Sequence, residues 1–169
     1  SSNYELSSSL NIFAEIQYRH IDYKINGTHD DLNDITQRHI FDFWNPKGGI
    51  FYTINDNNSA YFSVAYSNRE PNRDIYTDAD EIQRERITHE KLIDYELGYS
   101  YMNRKTNLNA NFFYMDYRDQ LVMTGEINNV GNAIMTNVDK SYRFGLEGSA
   151  AFIFNRFFSL DFIVNFPTI

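Results

Sequence analysis

The side chains here whose types would support chemistry are histidines, carboxylates and one glycine-rich basic stretch. Four histidines, His20, His29, His39 and His89, fall in or near long polar segments. Imidazoles ligate metals only where ligands converge, usually with a short paired spacing. No His-x-His or His-x-x-x-His occurs, and His29 beside Asp30 and Asp31 is the one local group that would hold a metal loosely. Solvated loop histidines are therefore expected, with no metal site and no cofactor.

Asp94, Glu96 and Glu147 share a predicted polar strand face with Asn109, Asn111 and Arg143. Paired carboxylates in a cleft can run general acid–base chemistry. On neighbouring strands that face water, the expectation is instead a polar network with basic partners. The histidines sit away from the serine-bearing strands, so no Ser-His-Asp arrangement is expected. Pro46-Lys47-Gly48-Gly49 lacks the length and the following helix of a phosphate-binding loop. It runs straight into Ile50-Phe51-Tyr52, and reads as a bend or bulge where a strand wall curves, or as the close approach of a separate plug segment. Zero cysteines exclude disulfides, thiolate metal sites and cysteine nucleophiles. A formal charge of −8, from 15 Lys+Arg against 23 Asp+Glu, argues against nucleic acid as a partner. The protein is not expected to be an enzyme.

A third group is concentrated in one polar segment: Arg69, Glu70, Asn72, Arg73 and Tyr76, followed by the charged stretch 80–90. Mixed charge with an aromatic ring suits capture of a polar ligand at the mouth of a cavity, and these residues are the candidate ligand contacts.

The elements that must position these groups are strands. Aromatic residues make up 17% of the 169, yet the mean hydropathy is −0.54, because the aromatics alternate with Asn, Asp, Ser and Arg. Period-two alternation marks about seven runs: 10–18, 43–54, 59–68, 92–101, 107–117, 141–154 and 158–166. In the fourth, Ile93, Tyr95, Leu97, Tyr99 and Tyr101 alternate with Asp94, Glu96, Gly98 and Ser100. The runs are close to the roughly 9–11 residues with which a tilted strand crosses a bilayer. No run approaches the roughly 18 apolar residues of a membrane helix. Connections alternate: long (24–42), tight (55–58), long (69–91), tight (102–106), long (118–140), tight (155–156). Long loops at one end and tight turns at the other fit an antiparallel up-and-down meander through an outer membrane. Asn57, Asn103 and Asn155 then mark the periplasmic end, and the segments around Thr28, Asp78 and Asn128 the outside. Tyr23, Trp44, Tyr66, Tyr101, Tyr117 and Phe157 are candidates for the interfacial aromatic girdles. The fold expected is all-β, an incomplete segment of a large transmembrane barrel, because seven strands leave edges that lipid cannot satisfy. With no signal peptide in Ser1–Ser9, the chain reads as an internal piece of a longer polypeptide.

Particular words in these strands resemble those of TonB-dependent outer-membrane receptors. Asn45-Pro46-Lys47-Gly48-Gly49-Ile50 with Tyr52 is similar to the family's NPK-G-x-x-Y strand, and Ala65-Tyr66-Ser67-Asn68-Arg69-Glu70-Pro71 to its strand end with an Arg-Glu-Pro turn. Glu90 and Lys91 to Tyr99 resemble its E-x-x-x-x-Y-E-x-G strand, Asn111 to Gln120 its YYMDYxDQ strand, and Arg143-Phe144-Gly145-Leu146-Glu147 its R-x-G-x-E strand. The wording is nearest to Bacteroidetes-type receptors. The resemblance implies a barrel of about 22 strands with a plugged lumen. It implies residues 1–169 as part of that barrel domain, with the plug domain and the closing strands absent. Localisation would be the bacterial outer membrane. The implied partners are outer-membrane lipid, the receptor's own plug, the TonB complex through the absent N-terminal region, and a nutrient ligand: an iron chelate, haem, a vitamin or a glycan. With a haem or metal-chelate cargo, a loop histidine would become a possible ligand. Two other classes compete: a passive porin or structural barrel, and a soluble β-sandwich or lipocalin-like binding module whose apolar faces would turn into a core.

Overall fold

The period-two alternation builds strands, and the computed structural model, which describes residues 2–28, 34–128 and 131–168, contains eight of them. They are β1 (Ser2–Ser7), β2 (Leu10–Ile25), β3 (Gln37–Asn55), β4 (Asn58–Arg69), β5 (Glu90–Met102), β6 (Thr106–Ile127), β7 (Ala133–Asn155) and β8 (Phe158–Thr168). Two short helices, α1 (Arg73–Asp78) and α2 (Glu81–Arg86), lie between β4 and β5. Every strand pairs antiparallel with its sequence neighbour, giving one sheet in the order β1 to β8 that does not close on itself.

The count of seven is corrected to eight. β1 carries only Tyr4 and Leu6 among polar residues, too little alternation to register as a strand, yet it pairs with β2 from Ser2↔Ala14 to Ser7↔Leu10. The strand ends also run further than expected. β6 has 22 residues and β7 has 23, so each is about 70 Å long at ~3.3 Å per residue, well beyond a bilayer's hydrocarbon core. In these extensions both faces can meet water, so the polarity contrast that reveals a strand fades. The three long connections accordingly shrink to residues 26–36, 70–89 and 128–132.

The tight turns are built by side chains that stand in for backbone. Asn55 Oδ1 accepts from Asn57 N (3.0 Å), Asn103 Oδ1 from Lys105 N (2.8 Å), and Asn155 Oδ1 from Phe157 N (2.9 Å). Such Asx-type bonds are why asparagine recurs where the chain must reverse in a few residues.

Register separates the two faces. Ile12, Ile50, Phe62, Leu97, Phe112, Leu146 and Phe166 form one continuous cross-strand row, each directly opposite the next. All of them are substantially exposed, and among the described residues no second layer covers them. A sandwich would bury this row, so the soluble β-sandwich reading is overturned. The adjacent row on the other face runs Phe13, Gly49, Ser63, Glu96, Phe113, Gly145.

Three aromatic residues on that polar face lie directly across from glycines: Phe13 from Gly49, Tyr61 from Gly98, and Phe113 from Gly145. A Cβ at Gly49 would sit 2.7 Å from Phe13 Cε1, and one at Gly145 2.5 Å from Phe113 Cζ. The glycines let the rings lie flat on the backbone. This corrects the bulge expected at Gly48-Gly49: the β2–β3 register is unbroken from Leu10↔Tyr52 to Ile25↔Gln37, and the close approach is that of the chain's own ring.

Candidate functional site

The polar face and the loop between β4 and β5 carry the candidate residues. On the wall, one row runs Glu15, Lys47, Ala65, Asp94, Met115, Arg143. Another runs Asn11, Phe51, Tyr61, Gly98, Asn111, Glu147, Asn165. A third contains Thr53, Ser59, Ser100, Asn109 and Ser149. Asp94, Glu96, Asn109, Asn111, Arg143 and Glu147 thus share one face. Of these, Asn109, Asn111 and Glu147 line a trough of about 750 Å³ together with Phe51 and Tyr61, and Asp94, Glu96 and Arg143 lie outside it.

Contacts within the wall are hydrogen bonds rather than ion pairs. Tyr61 Oη donates to Asn111 Oδ1 (2.9 Å), Ser63 Oγ to Glu96 Oε2 (3.4 Å), Asn109 Nδ2 to Ser149 Oγ (3.3 Å), and Asn165 Nδ2 to Glu147 Oε1 (3.4 Å). Arg143 places its guanidinium 5.3 Å from the centre of the Tyr117 ring. Asp94 Oδ1 is buried without a hydrogen-bond partner. Glu147 stands two strands away from Glu96, with β6 between them, an arrangement unlike a paired acid and base.

At the mouth, the loop of residues 70–89 folds onto the extended strands. Arg69 Nη2 meets Glu90 Oε2 at 2.5 Å, and Glu90 Oε1 accepts from Leu121 N at 2.6 Å, which ties β4, β5 and β6 together. Glu90 is 5% exposed, so its charge depends on these two donors. Glu70 accepts from Arg19, whose guanidinium also lies 5.3 Å from the Phe43 ring centre. Asn72 caps the start of α1 with extended backbone, and its carbonyl accepts from Ile75 N at 3.2 Å. Arg73 sits 5.1 Å from the Tyr23 ring centre. Tyr76 is 2% exposed and stacks on His39, with centroids 3.8 Å apart.

The same loop is held on its other side. Asn137 accepts from Thr88 N (2.9 Å) and donates to Thr88 O (3.0 Å), and Asn132 Nδ2 donates to Asp78 Oδ1 (2.8 Å). α2 starts on a reciprocal cap between Asp80 and Gln83, and Arg84 reaches Asp34 O at 2.9 Å. Docking of this loop thus joins β2–β3 to β6–β7. Glu70, Asn72 and Arg73 line a crevice of about 460 Å³ with His20, Asp22 and Tyr23, and Arg69 lines a second of about 260 Å³.

Two expectations about side chains change. His39 and His89 are not solvated loop residues: both pack against aromatic rings, His89 5.2 Å from the Phe43 ring centre, and burial pushes each imidazole below its ordinary pKa. Burial likewise pushes the Tyr76 hydroxyl well up. Tyr23 and Tyr117 face the polar side with their arginines, so they leave the proposed girdle; Trp44 and Tyr66 keep the apolar side. No cluster of three metal-ligating side chains occurs among the described residues, and the group His29, Asp30 and Asp31 lies outside them. Sequence reading passed over Arg19, Phe43 and Asn137, and it named His39 and Glu90 without the packing and tying roles they have here, because all five roles depend on contacts far along the chain.

Comparisons with known proteins follow the same lines. The family model "TonB dependent receptor-like, beta-barrel" matches residues 1–167. Among solved structures, the chain is similar to the copper transporter OprC, with a TM-score of 0.82 at 12% identity over 96% of this chain and 27% of that one. It is similar to the ferric yersiniabactin uptake receptor FyuA from Yersinia pestis, with a TM-score of 0.72 at 20% identity over 98% of this chain and 25% of that one. The siderophore receptor PirA from Pseudomonas aeruginosa gives a TM-score of 0.71 at 14% identity over 98% and 30%. The chain spans less than a third of the length of each. No curated protein sequence matches.

Proposed function

Because this chain belongs to the TonB-dependent receptor β-barrel family, we propose that it forms part of the wall and three external loops of an outer-membrane receptor that imports a scarce nutrient. The cargo class is an iron chelate, haem, a vitamin or a glycan, and the chelate reading draws on the siderophore receptors among the structural relatives. In this reading residues 1–169 are a portion of the barrel domain, and the plug and remaining strands belong to the longer receptor. The single observation that carries it is the exposed apolar row from Ile12 to Phe166 backed by a polar row at every strand. Apolar side chains in that number are stable only against hydrocarbon, and the polar face only against water or a hydrated plug.

The mechanism is capture and release without covalent change. Ligand lands among Arg69, Glu70, Asn72 and Arg73, whose charged and polar groups reach the surface. The fifth sequence candidate, Tyr76, is buried beneath them against His39 and only anchors the loop. Ligand then passes to the polar wall of Asp94, Glu96, Asn109, Asn111, Arg143 and Glu147. Plug movement driven by the TonB complex then opens the path. The test is uptake by the intact receptor in cells with and without TonB, using radiolabelled ferric siderophore, haem and cobalamin. Uptake of one class that stops without TonB supports the reading. Uptake that continues unchanged supports a passive pore instead, and so does permeation by unrelated small solutes.

A further inference from the structure

All four methionines of the chain, Met102, Met115, Met123 and Met135, lie on the polar side of the sheet. Met102 has the parity of Asp94 and Glu96 on β5, and Met115 stands between Asp94 and Arg143 in a wall row. Met123 and Met135 are directly opposite each other near the outer end of the β6–β7 hairpin, in the same parity as Met115 and Arg143. A thioether side chain is apolar and would serve well against hydrocarbon. Yet the outward rows of β5, β6 and β7 hold no methionine.

Packing does not account for the pair at the mouth. Methionine usually fills gaps in a core, but Met123 is 73% exposed. Residues directly opposite in an antiparallel pair have Cα atoms roughly 4.5–5.5 Å apart, and flexible side chains let two thioethers close on one ion. Met135 also lines the crevice under the 70–89 loop, where the carboxylates Glu70, Asp74 and Asp78 face one cation, Arg69. Such a lining draws positive charge. Thioether sulfur, unlike the imidazoles and carboxylates nearby, is soft and uncharged, and it selects Cu(I) over hard ions such as Mg(II) or Ca(II).

We propose that Met123 and Met135 form a binding site for a soft monovalent metal ion of the Cu(I) class, and that Met115 and Met102 offer the next thioether contacts along the inner wall. The site adds a metal-ion cargo to the classes given under Proposed function, and it rests on that reading for which face is inward. Met115 lies eight residues below Met123, and Met102 eight below Asp94, the residue opposite Met115, so each step is about 26 Å at ~3.3 Å per residue. Steps that wide make separate stations. The Met115 sulfur accepts from Tyr117 Oη at 3.6 Å, so it is less available than the exposed sulfur of Met123. A thioether has no proton to lose, so the pair binds without the pH dependence of an imidazole.

The test uses the intact receptor containing this segment, in detergent, with Ag(I) as a redox-inert probe of the same softness in chloride-free buffer. Isothermal titration reads the affinity, and X-ray absorption at the silver edge reads the ligand atoms. Wild type is expected to bind Ag(I) through sulfur, to leave Mg(II) unbound, and to bind equally between about pH 5 and 8, where an imidazole site would weaken. Met123→Leu/Met135→Leu, close in volume, should weaken that binding by at least about 10–100-fold, the scale at which loss of even a supporting group lowers metal affinity. Met123→Leu alone, a single exposed change that keeps the fold testable, should show most of the loss. Ile127→Ala removes exposed apolar surface from the same hairpin without touching sulfur, and should leave binding intact. No Ag(I) binding by wild type, a spectrum without sulfur, or unchanged affinity in both leucine variants overturns the inference. If TonB-dependent uptake persists in that case, the proposed function still stands. Sulfur-bound Ag(I) lost in the leucine variants, with uptake that ignores TonB, keeps the site and removes the receptor reading.

Discussion

Tyr61 lies flat over Gly98, its directly opposite neighbour across the β4–β5 hairpin, and its hydroxyl donates to Asn111 Oδ1 one strand further on at 2.9 Å. Any Cβ at position 98 would overlap the ring. Gly98→Ala should therefore destabilise the barrel by about 1–3 kcal/mol, the usual range for overpacking. Tyr61→Ala in the same chain should relieve much of that loss. Urea unfolding of the single and double variants of the intact receptor measures the coupling, and strictly additive losses would remove the ring-over-glycine account.

Leu97 and Glu96 are chain neighbours on opposite faces. Leu97→Arg places a charge against hydrocarbon and should cost about 2–4 kcal/mol near the bilayer midplane. Glu96→Arg faces water and should cost far less. Folding yields into lipid vesicles report the difference, and equal losses would reverse the assignment of faces.

Glu90 is buried and answers to two donors, Arg69 and Leu121 N. Glu90→Ala leaves a buried N–H without a partner and should cost about 2 kcal/mol, with Arg69 exposed enough to recover its solvation. Glu90→Gln keeps one acceptor and should cost less. Hydrogen exchange at the Leu121 amide should rise in the alanine variant.

Tyr76 anchors α1 to His39. Tyr76→Ala should free the 70–89 loop, seen as faster proteolysis there with the barrel intact, whereas Tyr76→Phe keeps the stacked ring and should behave nearly as wild type.

The docking of that loop should also depend on pH. Burial lowers the His39 and His89 pKa values, so the docked loop prefers neutral rings. Below about pH 6.5 the undocked state takes up protons first. Docking should be at full strength above that value, weaken as pH falls through the window down to the lowered values, and stay constant below it. Hydrogen exchange of the loop at several pH values follows this. His39→Gln should flatten part of the profile, and an unchanged profile would place the dependence elsewhere.

Most of the sheet was legible. The alternation around Leu97 and Glu96 gave both faces of β5, and the recurrent asparagines gave the tight turns. The family words also lie on strands: Asn45 to Tyr52 in β3, and Arg143 to Glu147 in β7. β1 was not legible because six residues with two apolar side chains carry little period. The strand extensions were hidden because, past the bilayer, neither face needs to be apolar.

Composition and period alone determined a sheet with one apolar and one polar face, because side-chain direction alternates with every residue and needs no knowledge of distant partners. Only the tertiary structure decided that β1 joins the sheet, that Phe13, Tyr61 and Phe113 lie on glycines, and that His39, Tyr76 and Arg19 fold the 70–89 loop inward. Those outcomes depend on which residues come opposite each other across strands tens of residues apart, and register is a property of paired strands that no single strand carries.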